Sequence, residues 1–102
     1  NSDNDPDLSI AQARVPAGVT TRWHRLHGTV ERYVIISGTG RMDVGELSQD
    51  VSTGDAVIIP PMTPQRITNT SDDDLIFFAL CTPRFKQDVY EDIEELMASD
   101  KK

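Results

Sequence analysis

The sequence of 102 residues lacks the patterns that are typical of membrane proteins and of disulfide-bonded secreted proteins. It has a single cysteine, Cys81, so no internal disulfide can form. It has no apolar run near the ~20 residues that a membrane span needs, and no signal-peptide pattern. From these absences we expect a cytoplasmic protein with no membrane partner.

Basic residues are also scarce. The sequence has 10 lysines and arginines against 17 aspartates and glutamates, which gives a formal net charge of −7. A surface of this charge repels the phosphate groups of nucleic acids and of anionic lipids. We therefore expect no nucleic-acid partner, and we look for the function in a small-molecule site.

What the sequence does contain is a series of short β-strand patterns. The central stretch, residues 18–38, has two segments rich in β-branched and aromatic residues, separated by Gly28 and Thr29. His24 and Glu31 lie on these two predicted strands, where period-two alternation allows both side chains to face one side of a sheet. An imidazole and a carboxylate that converge in this way can begin a metal site.

The rest of the chain indicates seven or eight short strands with glycine and proline turns, which is typical of an all-β sandwich or barrel. A predicted strand over residues 41–47 is followed by a polar stretch, 48–55. The continuous apolar run 56–59 predicts a strand covered on both faces. The apolar period then changes, which predicts an amphipathic helix over residues 88–99. The expected organisation is a disordered acidic N-terminus (1–7), a barrel (8–83), and a C-terminal helix and tail (84–102).

Two motifs in the central region resemble those of the cupins. The first cupin motif is Gly, five residues, His-x-His, three or four residues, Glu, six residues, Gly. The second is Gly, five residues, Pro-x-Gly, two residues, His, three residues, Asn. Seven positions of this sequence match at the family spacing: Gly18, His24, Glu31, Gly38, Gly54, Pro60 and Asn69. The resemblance implies the cupin fold, a jelly-roll barrel also called a double-stranded β-helix.

The sequence departs from the cupin motifs at three positions. The second histidine is replaced by Leu26, although His27 follows one residue later. The glycine of the second motif is Met62, and its histidine is Gln65. Because a shift of one residue turns a side chain to the other face of a strand, His27 could be a ligand only if the strand bends there.

The resemblance implies a site for one divalent transition metal, Fe, Mn, Ni or Zn, for which imidazole and carboxylate are suitable ligands. Its ligands in this sequence would be His24 and Glu31, with Gln65 as a weaker oxygen donor and His27 as a fourth candidate. An alternative stays open, in which His24 and Glu31 form a hydrogen-bonded interior pair and no metal binds.

Two further side chains are candidates for substrate binding. Arg22 lies two residues before His24, and Tyr33 lies two residues after Glu31, so in regular strands each shares the face of its neighbour. The Arg22 guanidinium would bind a carboxylate or phosphate of the substrate. Trp23 and Arg25 would then lie on the opposite face and serve sheet or subunit packing.

Two classes of function follow from these residues. The resemblance implies a metal-dependent isomerase, lyase or dioxygenase acting on a small polar or anionic metabolite. The alternative is a metal-free ligand-binding or structural module without catalysis. With either function we expect a homodimer, because the outer face of the barrel would have an apolar surface formed by Trp23, Val34, Ile36 and Phe78 or its neighbour.

Overall fold

The structure is a computed structural model that describes residues 7–99. Nine strands and one helix are found in these residues: β1 Ser9–Val15, β2 His24–Leu26, β3 Val30–Ser37, β4 Thr39–Val44, β5 Leu47–Ser52, β6 Ala56–Ile59, β7 Gln65–Asn69, β8 Leu75–Thr82, β9 Tyr90–Asp92 and α1 Glu94–Ser99. The predicted all-β class with a short C-terminal helix is confirmed. The predicted disordered N-terminus (1–7) lies outside the described residues, except for Asp7.

The strands form two antiparallel sheets. The four-stranded sheet has the order β1-β8-β3-β6, and the five-stranded sheet has the order β5-β4-β7-β2-β9. Alternate residues of β3, namely Glu31, Tyr33 and Ile35, are buried, as period-two alternation requires when one face of a sheet meets a core. The other members of the buried core cluster come from six further strands: Val15, Met42, Val51, Val57, Ile59, Ile67, Leu75 and Phe77.

The polar stretch after the predicted strand 41–47 is itself a strand. Gly45, with a φ of 58°, forms the turn that ends β4 at Val44 and begins β5 at Leu47. Residues 47–52 pair with residues 39–44, the whole length of β4, so residues 48–52 of the polar stretch belong to this strand. Most of their side chains face outward, and only Val51 is buried. An edge strand with one buried residue has almost no apolar alternation, which is why the sequence did not reveal it.

The prediction that the apolar run 56–59 is covered on both faces is wrong. This run is β6, which pairs only with β3 and forms an edge of its sheet. Val57 and Ile59 are buried, whereas Ile58 is 61% exposed and Ile36 on the neighbouring strand is 42% exposed. These outward side chains belong to the face that we expected to pair in a homodimer, and that pairing stays a prediction.

The predicted helix 88–99 is also shorter than expected. Residues 87–89 form one 3-10 turn, residues 90–92 form β9 beside β2, and only Glu94–Ser99 is helical. Ile93 is buried, as the predicted apolar face required, but Leu96 is 51% exposed. The backbone N–H of Ile93 donates to the carbonyl of Trp23 (3.0 Å), so the C-terminal segment covers Trp23, which is buried within the chain rather than outward-facing.

Asn69, the last residue of the second motif, has a structural role. Its side chain is 1% exposed. Its Nδ2 donates to the carbonyls of Val15 (2.8 Å) and Asp73 (2.7 Å), and its Oδ1 accepts from the Ser71 backbone N–H (2.8 Å). These bonds join the end of β1 to the turn between β7 and β8.

Replacing this asparagine should destabilise the fold. Asn69→Ala leaves buried carbonyl groups without donors, so we expect a loss of about 2 kcal/mol in the free energy of unfolding and a fall of about 10 °C in Tm. Thermal denaturation followed by circular dichroism measures both. The control is Thr70→Ala at the adjacent exposed position, which should leave Tm almost unchanged. Equal Tm values for the two variants would show that the hydrogen bonds of Asn69 do not stabilise the barrel.

Candidate functional site

A cavity of about 370 Å³ lies between β1, β3 and β8 of the first sheet and β2 and β9 of the second. Its polar lining includes His24, Glu31 and Cys81, and its apolar lining includes Leu26, Phe85 and Tyr90. The predicted convergence of His24 and Glu31 on one interior space is therefore seen in the structure. A pocket of this size is in the range that binds small molecules.

His24 is the first residue of β2, and its backbone lies opposite Gln65 of β7 on one side and Asp92 of β9 on the other. The imidazole Nδ1 is 3.0 Å from the carbonyl oxygen of Arg22. Because a carbonyl can only accept, Nδ1 carries the proton and Nε2 keeps its lone pair. The Tyr90 ring stacks on the imidazole at 5.2 Å.

The imidazole of His24 is held in its neutral form. Burial lowers its pKa, against the opposing effects of the Arg22 carbonyl and the Asp92 carboxylate. A neutral imidazole with a fixed tautomer presents one basic nitrogen, Nε2, and that nitrogen can accept a proton or a hydrogen bond.

Glu31 faces the cavity from β3, opposite Cys81 of β8. Its side chain is only 7% exposed. Burial raises the pKa of the carboxyl to about 7, although hydrogen bonds with Gln65 and Cys81 oppose the rise. Its Oε1 atom has no hydrogen-bond partner among the described residues. Glu31 is thus a buried carboxyl that changes its charge near neutral pH.

The cupin motifs have three histidine positions. His24 occupies the first, and Leu26 and Gln65 occupy the other two. Gln65 is 1% exposed beside Glu31, and its Oε1 also has no partner within residues 7–99. Leu26, 3% exposed, lines the cavity two residues after His24. The second ligand position is therefore filled by an apolar side chain.

The donor set does not fit a resident transition metal. His24 and Glu31 supply one imidazole and one carboxylate, and the other two ligand positions hold an amide and a leucine. Burial raises the pKa of the nearby Cys81 thiol to about 12, so it stays protonated and is a poor ligand. Within the part of the chain that the structure describes, no three histidine, cysteine, aspartate or glutamate side chains are grouped so that they could hold an ion.

His27 lies outside this cavity. Its backbone N–H donates to the carbonyl of Val89 (2.9 Å). Its Nε2 is 2.7 Å from Oε1 of Glu91, which also accepts from Arg25 (2.8 Å). β2 ends at Leu26 and the chain bends at His27 and Gly28, but this bend does not turn the His27 side chain into the cavity, because it shares Glu91 with Arg25. The expectation that His27 completes a metal site is not supported by this geometry.

Arg22 and Tyr33 also differ from their expected positions at the cavity. The guanidinium of Arg22 is paired with Asp92 on the surface, and its side chain is 60% exposed. Because β2 begins only at His24, strand alternation does not extend back to Arg22. Tyr33 does face inward with Glu31, but it is buried against Phe77 with ring centroids 4.3 Å apart. We therefore leave both residues out of the site.

Sequence reasoning missed the C-terminal contribution to the cavity. Arg84, Phe85 and Tyr90 line it, although they lie beyond the last predicted strand. The signal that could have revealed them is Pro83, which ends the sheet pattern and directs the chain back across the barrel. The structure also places Cys81 directly opposite Glu31.

No helix within residues 7–99 is long and apolar enough to cross a bilayer.

Comparison with known families agrees with the observed fold. Residues 11–81 match the family model of the cupin domain. An uncharacterized protein of Methanocaldococcus jannaschii is 33% identical over 86 residues, which are 84% of this chain and 69% of that protein.

Two solved structures share the architecture. Pac13 of Streptomyces, described as a nucleoside dehydratase, has a TM-score of 0.77 at 16% identity, covering 88% of this chain and 71% of Pac13. A conserved protein of Klebsiella pneumoniae with a double-stranded β-helix domain has a TM-score of 0.75 at 16% identity, covering 89% and 86% of the two chains. At these identities the likeness shows the fold, the predicted double-stranded β-helix.

Proposed function

The chain belongs to the cupin domain family, and from this premise we propose that its cavity binds a small polar metabolite on which His24 and Glu31 transfer protons without a metal. The observation that carries the proposal is that two titratable groups with opposite pKa shifts, the buried Glu31 and the partly buried His24, line one cavity. Pairs of this kind are typical of acid–base catalysis.

The two groups are suited to different roles. His24 is neutral near pH 7 and has a basic Nε2, because its Nδ1–H is bonded to the Arg22 carbonyl. Glu31, with a pKa of about 7, has a large protonated fraction at the same pH. His24 would remove a proton from the substrate, and Glu31 would donate one to a leaving or developing oxygen.

This division of roles favours some reaction types over others. Removing one proton and delivering another accomplishes an isomerisation, or the elimination of water as in a lyase. The dioxygenase chemistry considered above requires a redox metal with several open coordination positions. Since the donor set does not fit such a metal, we propose the isomerase or lyase class. The fold of the nucleoside dehydratase Pac13 is compatible with this class, but fold alone does not decide function.

Solvent deuterium incorporation tests the proposal. A panel of small hydroxylated and carbonyl metabolites is incubated with the protein in D₂O, and proton NMR follows the loss of exchangeable C–H signals and the appearance of products. We expect turnover of at least one compound, and a decrease of at least about a hundredfold in His24→Gln, because positioned general bases contribute about 10²–10⁴-fold to rates.

The matched control is His27→Gln, which replaces the other histidine of the chain outside the cavity and should leave the rate unchanged. Compounds that shift the resonances of cavity residues without exchange or product would instead identify a binding module. Equal rates in His24→Gln and the wild type would refute the role given to His24.

A further inference from the structure

Three polar side chains of the cavity lie in one row across its first sheet. In the register of the strands, Ser9 of β1 is opposite Cys81 of β8, and Cys81 is opposite Glu31 of β3. Residues directly opposite each other on antiparallel strands point to the same face of the sheet, with Cβ atoms about 4.5–5.5 Å apart. All three residues line the cavity, so the row runs from the edge strand β1 to the buried carboxyl of Glu31.

The hydrogen bonds along this row have one direction. The backbone N–H of Phe85 donates to Oγ of Ser9 (2.8 Å), so the hydroxyl proton of Ser9 remains available for another acceptor. The Cys81 thiol has hydrogen bonds with Ser9 and with Glu31. Because burial keeps this thiol protonated, its S–H group donates to the carboxyl while its sulfur accepts from the hydroxyl. Each donor in the row therefore points toward Glu31.

The Glu31 carboxyl depends on a small number of donors. Its side chain is buried, and its Oε1 atom has no hydrogen-bond partner among residues 7–99. Cys81 and Gln65 both hydrogen-bond the carboxyl. Hydrogen bonds to a charged group are worth about 1.5–3 kcal/mol each, and they also fix the orientation of the group. Loss of the thiol should therefore change how this carboxyl is held.

From this row, and resting on the function proposed above, we propose that Cys81 is a positioning residue for proton transfer by Glu31. The Cys81 thiol, itself oriented by the Ser9 hydroxyl, holds the Glu31 carboxyl in the orientation from which it donates to the substrate. Cys81 is thus required for its S–H donor and not only for its volume. A buried cysteine that only fills space acts as a small apolar residue, whereas this thiol faces a carboxyl.

The hydrogen bond between the thiol and the carboxyl can be observed without any substrate. Cys81 is the one cysteine of the chain, so the infrared spectrum has one S–H stretching band, and donation to an oxygen lowers its frequency. We expect a lower frequency in the wild type than in Glu31→Leu, which removes the acceptor. Glu31→Gln keeps a weaker acceptor and should give a smaller shift. Ser9→Ala should also move the band, because the sulfur loses a donor.

The control for the infrared measurement is Thr82→Ala. Thr82 follows Cys81 in β8, and its side chain points to the other face of the strand. This variant removes a hydroxyl group next to the cysteine and should leave the S–H band in place. Circular dichroism of each variant shows whether it is folded, and Glu31→Gln and Ser9→Ala keep the test decisive if Glu31→Leu does not fold.

Two substitutions of Cys81 separate the donor from the volume of the side chain. Cys81→Ser keeps a donor, whereas Cys81→Ala removes it. In the deuterium assay we expect kcat of Cys81→Ala to fall about tenfold, the size expected for the loss of one hydrogen bond. Its KM should change little, because Cys81 acts through Glu31. Cys81→Ser should keep kcat within about threefold of the wild type.

Three results would overturn the proposal. If the S–H band has the same frequency in the wild type and in the Glu31 variants, the thiol does not donate to the carboxyl, while the proposed function still stands. Equal kcat values for Cys81→Ser and Cys81→Ala would show that the donor is not needed. If none of the metabolites is turned over, the proposed function fails, and the positioning role of Cys81 fails with it even where the infrared band shows the hydrogen bond.

Discussion

The double variant Leu26→His/Gln65→His is expected to convert the cavity into a tight Zn²⁺ site. Both substitutions restore the histidines of the cupin motifs at positions that face His24 and Glu31. Leu26 lines the cavity two residues after His24 on the same strand, and Gln65 lies opposite His24 on β7. The variant would thus present three imidazoles and one carboxylate to a single point.

The expected gain in affinity is large. Complete four-ligand protein sites bind Zn²⁺ with about 10–16 kcal/mol, which corresponds to dissociation constants from tens of nanomolar down to about picomolar. The wild type, with one imidazole, one carboxylate and one amide, should bind at least about a thousandfold more weakly. Isothermal titration calorimetry measures the dissociation constants, and elemental analysis after dialysis measures the metal retained.

A matched control separates a designed site from a general gain of histidines. Arg25→His/Gln65→His adds the same number of imidazoles, but residue 25 lies on the other face of β2, where its side chain now pairs with Glu91. This control should retain little metal. If the Leu26→His/Gln65→His variant binds Zn²⁺ no better than the control, the four motif positions do not converge as the structure indicates.

Residues 25 and 26 lie on opposite faces of β2, as strand alternation requires. Alternation of this kind is the part of the site that the sequence could predict. Motif spacing and strand alternation placed His24 and Glu31 at one cavity, because both depend only on local period-two geometry. The strands β7 (residues 65–69) and β8 (residues 75–82) can also be predicted from sequence, because each has a clear apolar pattern between turn residues.

Arg22 and the C-terminal segment could not be predicted in the same way. The side-chain direction of Arg22 depends on where β2 begins, and the pairing of β2 with β9 determines that point through contacts about 70 residues apart in the chain. The apolar residues Val89, Ile93, Leu96 and Met97 fit a helical period, yet residues 90–92 form a strand, because the edge of β2 offers unpaired backbone groups. Tertiary contacts of this kind override a local pattern.

Glu31→Gln is expected to have a large effect on stability. The sign of the stability change follows from the pKa of the Glu31 carboxyl in the wild type. The pKa of Glu31 is about 7 in the folded protein and 4.5 as its ordinary value. The folded state therefore binds this proton more tightly than the unfolded state, so the protonated carboxyl gives its full stability below about pH 4.5. That stability is lost as the pH rises through 7, by roughly 3 kcal/mol in total.

Glu31→Gln removes this titration and should be more stable than the wild type at pH 8, while the two proteins differ little at pH 4.5. Urea unfolding of both proteins at pH 4.5 to 8.5 measures the difference. The lowered pKa of His24 acts in the opposite direction, because its contribution is lost as the pH falls below 6.5. It is present in both proteins, so the difference between them isolates Glu31.

The same substitution links stability to function. Under the proposed function, the cost of burying this carboxyl is expected, because activity that depends on a destabilised group lowers stability. Glu31→Gln should therefore lose the proton-transfer activity by about a hundredfold or more while it gains stability at pH 8. The control Glu46→Gln, at an exposed position, should change neither property. A Glu31→Gln protein that is less stable than the wild type at pH 8 would show that the carboxylate is stabilised where it lies, and that the acid role proposed for Glu31 is wrong.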